Sequence, residues 1–383
     1  MYAAGAVLLA LGIGPYLGFR AYARRVVATE EPVEDRLHRL KRAQQFGGVG
    51  LPIVAMVALF SLGFLDFMSE FGTSGPELFG IDVIPFAVSM LIPLGFVGVP
   101  IAGMTLGSYP AVRSLRDTSA STGRVLKRTL AGLGIVVAGA ILSLGGFLAI
   151  TSMFGSSTPV LVATIVVVIV GISGLTPYLT AVFNDRVPLA GDRRERIDRL
   201  CEELGYRPRG VYLLEGESVK TANAIVAGTI PGFRYVFLTD YLLTESSDDE
   251  LGAIIAHEFG HIAGRHLWQR SLLTAAVFGG WMLAAEAVGF GGLEERFGFL
   301  GIFLPFMLVF LVYQFVLLGG LALWQEHRAD AYAARNVGTQ ATVDMLELLA
   351  EANDARQDTG LVYSLLTQHP SIEKRIAAVR KRG

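Results

Sequence analysis

Charge is scarce in this 383-residue chain. Only 17% of its residues are Asp, Glu, Lys or Arg, while 52% are hydrophobic; a soluble domain carries about 25% charged residues. That balance excludes an ordinary soluble enzyme and points to a membrane protein with room for a modest soluble part. Cysteine is nearly absent. The single Cys201 excludes an intrachain disulfide and a thiolate-rich metal site, and it reads as a packing residue on a short amphipathic helix. Neither sign of charge dominates: a net charge of −2 excludes a global basic field for nucleic acid. No repeat or low-complexity tract stands out. No Lys or Arg precedes the first apolar run, 1–19, whereas Arg20, Arg24 and Arg25 follow it. A secretory signal peptide carries its charge ahead of the run, so this one reads as a transmembrane helix with its N-terminus outside.

Long apolar stretches are what the chain has most of. Four more follow at about 46–67, 81–107, 129–150 and 159–183, each near the roughly 20 residues a bilayer requires. The segment from Arg20 to Gln45 reads as a solvated, basic cytoplasmic loop. Pro85, Pro93 and Pro100 predict kinks in the third stretch. Every second connection is basic, at Arg113 to Arg128 and again from Arg186 to Arg199. The positive-inside rule then puts everything from Asn184 onward in the cytoplasm. Two further apolar runs, about 271–290 and 297–323, form a transmembrane hairpin set into the soluble part. Glu286 and Gln314 inside it are expected to make interhelical hydrogen bonds. The expected organisation is a membrane region over 1–183, a first soluble piece over 184–270, the hairpin over 271–323 and a second soluble piece over 324–383. The fold class is a multi-pass α-helical membrane protein of about seven transmembrane helices, with an α+β domain interrupted by the hairpin.

The soluble pieces carry the chemistry. Asp192–Leu204 is an amphipathic helix by its pattern, with Ile197, Leu200 and Cys201 on one face. Short strands are expected at 210–214, 221–227 and 234–239, making a small sheet whose edge can bind an extended peptide. Then comes Ser247-Asp248-Asp249-Glu250, a capping box with acids in the first turn. The helix it starts contains His257-Glu258-Phe259-Gly260-His261. Two histidines four apart project from one face, one turn apart, and can grip a single tetrahedral ion, most often Zn²⁺. Glu258 is placed to act on a water at the site rather than on the metal. A third protein ligand is still required. Beyond the hairpin, Glu326 and Asp330 are again four apart on one helical face, and the tail ends in His369-Pro370-Ser371 before an amphipathic last helix.

An H-E-x-x-H motif, a membrane hairpin, E-x-x-x-D and a late His-Pro-Ser together resemble the M48 family of integral membrane zinc metallopeptidases. That family includes heat-shock membrane proteases and CAAX prenyl proteases. The residues that carry the resemblance are His257, Glu258, His261, Glu326, Asp330 and His369, with Asn223-Ala224 resembling the family's strand before the metal helix. The resemblance covers roughly Arg194 to Arg380. The leading spans match nothing specific, although a total of seven fits the CAAX-type members.

The resemblance implies a zincin-like (gluzincin) cytoplasmic domain and one Zn²⁺ per chain, with Glu326 as third ligand and Glu258 as general base. It implies that Asp330 hydrogen-bonds a ligand histidine, that His369 helps hold the oxyanion, and that Asn223 and Ala224 bind substrate. The residues alone leave other readings open: a solvated charge for Glu326, a helix-surface pair with Arg328 or Arg335 for Asp330, and a structural role for His369. His266 and His327 are not expected to be ligands. Glu326 follows the apolar end at Leu323 so closely that the metal should lie within roughly 10 Å of the membrane surface, at about 1.5 Å per residue. The expected partners are a peptide or membrane-protein substrate and the lipid bilayer, with no nucleic acid. The expected function is a membrane zinc endopeptidase serving membrane-protein quality control. A CAAX-type protease and a silent metal-binding scaffold are the alternatives.

Overall fold

The structure is a computed structural model, and it describes residues 2–70, 77–78, 81–183, 185–228, 234–289, 291–353 and 360–382. The chain forms two compact units, Met1–Val168 and Ile169–Gly383.

The first unit is helical. It contains α1 (Tyr2–Val27), α2 (Val33–Ser61), α3 (Phe64–Glu70), a two-residue strand pair β1 (Glu77–Leu78) and β2 (Ile81–Asp82), α4 (Val83–Arg116), α5 (Thr122–Phe154) and the start of α6 (Thr158–Phe183). Lipid cannot satisfy backbone amides, so long unbroken helices are the expected solution. Small residues let them approach. A Cβ added at Gly103 or Gly107 on α4 would collide with the α1 backbone at Gly12 or Tyr16. Despite Pro93, Pro100 and Pro110, α4 runs as one helix of 34 residues. One sequence expectation fails here. The supposed loop from Arg20 to Gln45 is mostly helix, because α1 continues to Val27 and α2 already begins at Val33. Leu37 and Leu40 are buried, and Leu40 packs with Ala23 and Val26, so an apolar face runs on past the arginines.

Among the described residues, five helices are long and apolar enough to cross a bilayer: Gly5–Val27, Val33–Ser61, Ile84–Arg116, Thr122–Phe154 and Leu300–Val337. The last belongs to the second unit, and α6 contributes the shorter apolar stretch Pro159–Ile172.

The second unit is α+β. A sheet of four strands in the order β3-β4-β6-β5 is built from β3 (Arg186–Pro188), β4 (Gly210–Leu214), β5 (Ala224–Ala227) and β6 (Tyr235–Thr239). The β4/β6 pair is parallel, and the outer strands are antiparallel. The helices are α7 (Asp192–Glu203), α8 (Asp240–Glu245), α9 (Asp248–Ala263), α10 (His266–Val288), α11 (Gly291–Phe297), α12 (Phe299–Leu311), α13 (Gly319–Val337), α14 (Thr339–Ala352), α15 (Leu361–Thr367) and α16 (Ile372–Arg382). A π-helical stretch, Val312–Leu318, joins α12 to α13 without a break. Ile197 and Cys201 of α7, Val236 and Leu238 of β6, Ile255 and Phe259 of α9, and Met345 and Leu346 of α14 share one core. Cys201 is the packing residue its pattern predicts, and burial pushes its thiol up to about 12.

The hairpin arms are α10 and α12 with its continuation. Phe278 and Trp281 of α10 meet Phe306 of α12. Their polar bridge is Thr274 to Tyr313, 2.7 Å between hydroxyls. The side chain of Gln314 makes no hydrogen bond among the described residues, contrary to expectation; the neighbouring Tyr313 hydroxyl makes the contact between the arms instead. The side chain of Glu286 lies outside the described residues.

Candidate metal centre

The centre forms where α9 crosses α13. The sequence makes α9 a core helix. Ser247 Oγ accepts from Glu250 N–H while Glu250 Oε2 accepts from Ser247 N–H at 2.7 Å, closing the expected capping box. Ile254, Ile255 and Phe259 are then buried, and Tyr206 stacks on Phe259 with ring centroids 4.1 Å apart. Gly260 permits the crossing: a Cβ there would stand 2.9 Å from Ala329 Cα of α13. Backbone contact this close carries the His257/His261 face of one helix onto the Glu326/Asp330 face of the other.

His257 Nε2 and His261 Nε2 are 3.2 Å apart. His261 Nε2 is 3.4 Å from Glu326 Oε1, and His257 Nε2 is 3.8 Å from Glu326 Oε2. Around a tetrahedral zinc with ligands at about 2.0–2.1 Å, the donors stand about 3.3 Å from one another. The separations and the donor set of two imidazole nitrogens and one carboxylate oxygen therefore fit such an ion. These three residues are the His/Cys/Asp/Glu cluster that can hold a metal among the described residues.

Each imidazole is oriented from behind. His257 Nδ1 donates to Asp330 Oδ1 at 3.0 Å, leaving Nε2 with its lone pair toward the centre. Asp330, 1% exposed, is clamped by Arg375, whose Nη2 donates to Oδ1 at 2.6 Å and whose Nε donates to Oδ2 at 2.8 Å. Arg375 Nη1 also lies 3.3 Å from Glu326 Oε2. Burial alone would lower the guanidinium's pKa, but the Asp330 and Glu326 carboxylates outweigh it and hold the group charged, above its usual value. Asp330 thus pairs with Arg375 rather than with Arg328 or Arg335. Sequence reasoning missed Arg375. The available signal was its register with Ile376 and Val379, the buried stripe of α16 that partly buried Ile372 extends.

His261 has a different partner. Its Nδ1 lies 2.8 Å from Nδ1 of His266, across a two-residue turn, Gly264-Arg265, in which Arg265 takes φ of +53°. For Nε2 of His261 to face a metal, its Nδ1 must carry the proton, and His266 must accept through Nδ1. Burial, then the neighbouring His261, Arg270 and Arg328, push His266 down to about 4, which keeps it neutral and able to accept. Its own Nε2 is buried without a partner. His266→Ala should therefore weaken zinc binding about 10- to 100-fold. Asn, whose carbonyl can stand where Nδ1 stands, should restore most of it. Competition titration against a chromophoric chelator measures both.

Glu258 lines the same cavity as the three donors and reaches the sheet. Its Oε2 accepts from Val226 N–H at 3.4 Å. Burial raises its pKa, with His257 opposing and Glu326 adding to the shift. His369 is 63% exposed at the side chain, and its Nδ1 donates to Glu326 Oε2 at 3.1 Å. Gln368, at φ of +60°, sets up the turn that presents it.

A cavity of about 930 Å³ opens on these groups and is also lined by Asn223, Ala224 and Val226. In the described sheet β5 is an edge strand. Thr239 N–H donates to Asn223 O at 3.0 Å, and Ala224 pairs with Leu238. Antiparallel alternation then turns the backbone groups of Ala224 and Val226 outward and those of Asn223 and Ile225 inward. Ala224 thus offers a free edge. Asn223 spends its backbone on Thr239 and lines the cavity beside it. Val226, not singled out by sequence, joins them.

A profile of Peptidase family M48 matches residues 189–383, half of the chain. The chain belongs to peptidase family M48. Among this family's curated members it is 29% identical over 250 residues to a protease HtpX homolog of Trichormus variabilis, covering 55% of this chain and 85% of that one. It is 27% identical over 187 residues to protease HtpX of Acinetobacter baumannii, covering 42% and 62%. The crystal structure of S. mikatae Ste24p superposes with a TM-score of 0.65 at 17% identity over 98% of both chains, a likeness of fold. The chain is a membrane-embedded M48 metallopeptidase. A silent scaffold and a CAAX-specific protease are not favoured.

Proposed function

We propose that this M48 peptidase is a zinc-dependent endopeptidase that cleaves extended segments of membrane or membrane-proximal proteins, in the manner of protein quality control. The observation that carries it is the trio of donor atoms at His257, His261 and Glu326, spaced 3.2 to 3.8 Å apart. A zinc ion bound there would supply a Lewis acid that polarises the scissile carbonyl and acidifies the attacking water. The remaining work falls to side chains. Glu258 accepts the water's proton and delivers it to the leaving amine. His369 donates to the oxyanion from the exposed side. Asp330, held by Arg375, and His266 keep the two imidazoles in the tautomers that face inward.

Substrate adds to β5 as a further strand, through the outward groups of Ala224 and Val226. It competes with Glu258 for the Val226 N–H, so docking frees the carboxylate to serve as base. Backbone pairing of this kind favours unfolded chain over any one sequence. The membrane-derived helix runs without a break from Phe299 through Glu326. This continuity supports a centre held near the bilayer surface. We place the N-terminus outside the cell membrane and the catalytic domain and C-terminus in the cytoplasm, on the alternation of basic connections.

The test is direct. Detergent-solubilised full-length protein should degrade unfolded casein and an unfolded membrane protein. A strong zinc chelator should abolish cleavage, and stoichiometric zinc should restore it. Cleavage untouched by metal removal would overturn the reading.

A further inference from the structure

Arg270, on the second turn of α10, lines the same cavity as the metal donors. Its Nε donates to Gln325 Oε1 at 2.6 Å, and its Nη1 reaches Gln368 Oε1 at a long 3.4 Å. Both acceptors are neutral, and no carboxylate of the described residues pairs with it. Arg375, also buried in this unit, has two carboxylates. Burial lowers the Arg270 pKa, and Glu326 opposes this only through space; a partly desolvated guanidinium without a carboxylate in direct contact is costly unless something supplies one.

The guanidinium is also aimed. Gln325 is fully buried, and its Nε2 is committed to the His266 carbonyl at 3.2 Å and Gln269 Oε1 at 3.0 Å. The amide cannot flip, so its oxygen always faces Arg270. Of the five N–H donors of a guanidinium, these contacts use two. The rest suit the bidentate geometry that a carboxylate offers. Gln368 precedes His369, which puts this cation beside the residue assigned to the oxyanion. Charge balance points the same way. Of the charged side chains that line the cavity, Glu258 and Glu326 face Arg234, Arg265 and Arg270, a surplus of one positive charge. A divalent ion at the three donors would raise that surplus to three.

We propose that Arg270 receives a carboxylate of the substrate close to the scissile bond, either an acidic side chain or the chain's own C-terminal carboxylate. This rests on the peptidase reading above and adds a specificity determinant to it.

The experiment uses zinc-loaded, full-length protein and two matched peptide series. In one, a Glu is scanned through positions flanking the cleaved bond of a C-terminally amidated peptide, against Gln at each position. In the other, the same neutral sequence ends in a free carboxylate or an amide at varied distance. At one position the carboxylate should raise kcat/KM about 10- to 100-fold over its amide, the size of one charge-assisted contact. The responding series identifies the source. In Arg270→Gln that ratio should collapse toward one, whatever the overall rate. In Arg270→Glu it should invert in favour of Lys at the same position, a result that a scaffolding role cannot give. Arg270→Lys, the variant closest to the parent, should keep part of the ratio.

No carboxylate preference in either series, or one that survives Arg270→Gln, would overturn the proposal. Peptide affinities measured by fluorescence anisotropy on the Glu258→Gln protein repeat the comparison without turnover. Failure to cleave any peptide therefore counts against the peptidase reading, and equal affinity for acid and amide counts against Arg270.

Discussion

Glu258→Gln is expected to lower kcat by about 10²- to 10⁴-fold, the contribution of a positioned general base, while the protein keeps its zinc. Glutamine preserves the side chain's shape, and its amide can still meet the Val226 backbone. It cannot take a proton from water. His257, His261 and Glu326 are untouched, so metal content should not change. The same carboxylate sets the acid limb of the pH profile. It works as a base only when ionised, and burial raises its pKa. Activity should fall as pH drops through that raised value, beginning above the range of an exposed glutamate. A cation at the three donors opposes the shift, so the carboxyl of metal-free protein should titrate higher than that of loaded protein. Infrared difference titration against Glu258→Gln reads both. Retained turnover in the variant would remove Glu258 from its role.

Arg375→Met is expected to be the most destabilising single change at the centre. Asp330 is 1% exposed and depends on the bidentate Arg375 contact. Removing one partner of a buried pair leaves a bare charge inside, at about 3–5 kcal/mol. Thermal unfolding in detergent should register that loss. Removing both partners separates stability from chemistry. Arg375→Met with Asp330→Leu should recover much of the stability, because a buried ion pair and an apolar pair of similar volume are often nearly equivalent. It should not recover zinc affinity, because His257 Nδ1 then has no acceptor and its inward tautomer is no longer imposed. A double variant that binds zinc like the parent would show that Asp330 serves packing alone.

The α9 half of the centre was legible because its signals are local. A capping box, a helical apolar stripe and two histidines one turn apart all lie within α9, and helix geometry alone sets their relation. The other half was legible only through family resemblance. Glu326 lies beyond the whole α10–α12 hairpin, and no periodicity states that α13 returns to α9. The decisive feature is tertiary, the bare Gly260 backbone against Ala329. Arg375 was hidden for a related reason. Among Glu373, Lys374 and Arg380 it reads as one more surface charge, and only its register with Ile376 and Val379 marks it as inward-facing. His266 was set aside in the sequence reading, and its contact with His261 depends on the left-handed turn at Arg265, which sequence does not announce for an arginine. In the membrane region, hydropathy located the helices and misjudged their ends. The start of α2 is amphipathic and buries Leu37 and Leu40 through helix packing.

The most direct test of the whole account is zinc stoichiometry combined with X-ray absorption at the zinc edge, on purified wild type and Glu326→Ala. One zinc per chain, bound by two imidazole nitrogens and a carboxylate oxygen in wild type and lost or severely weakened in the variant, is the expected result. A wild-type protein that holds no zinc after loading, or a Glu326→Ala protein that holds it with unchanged ligands and affinity, would contradict it.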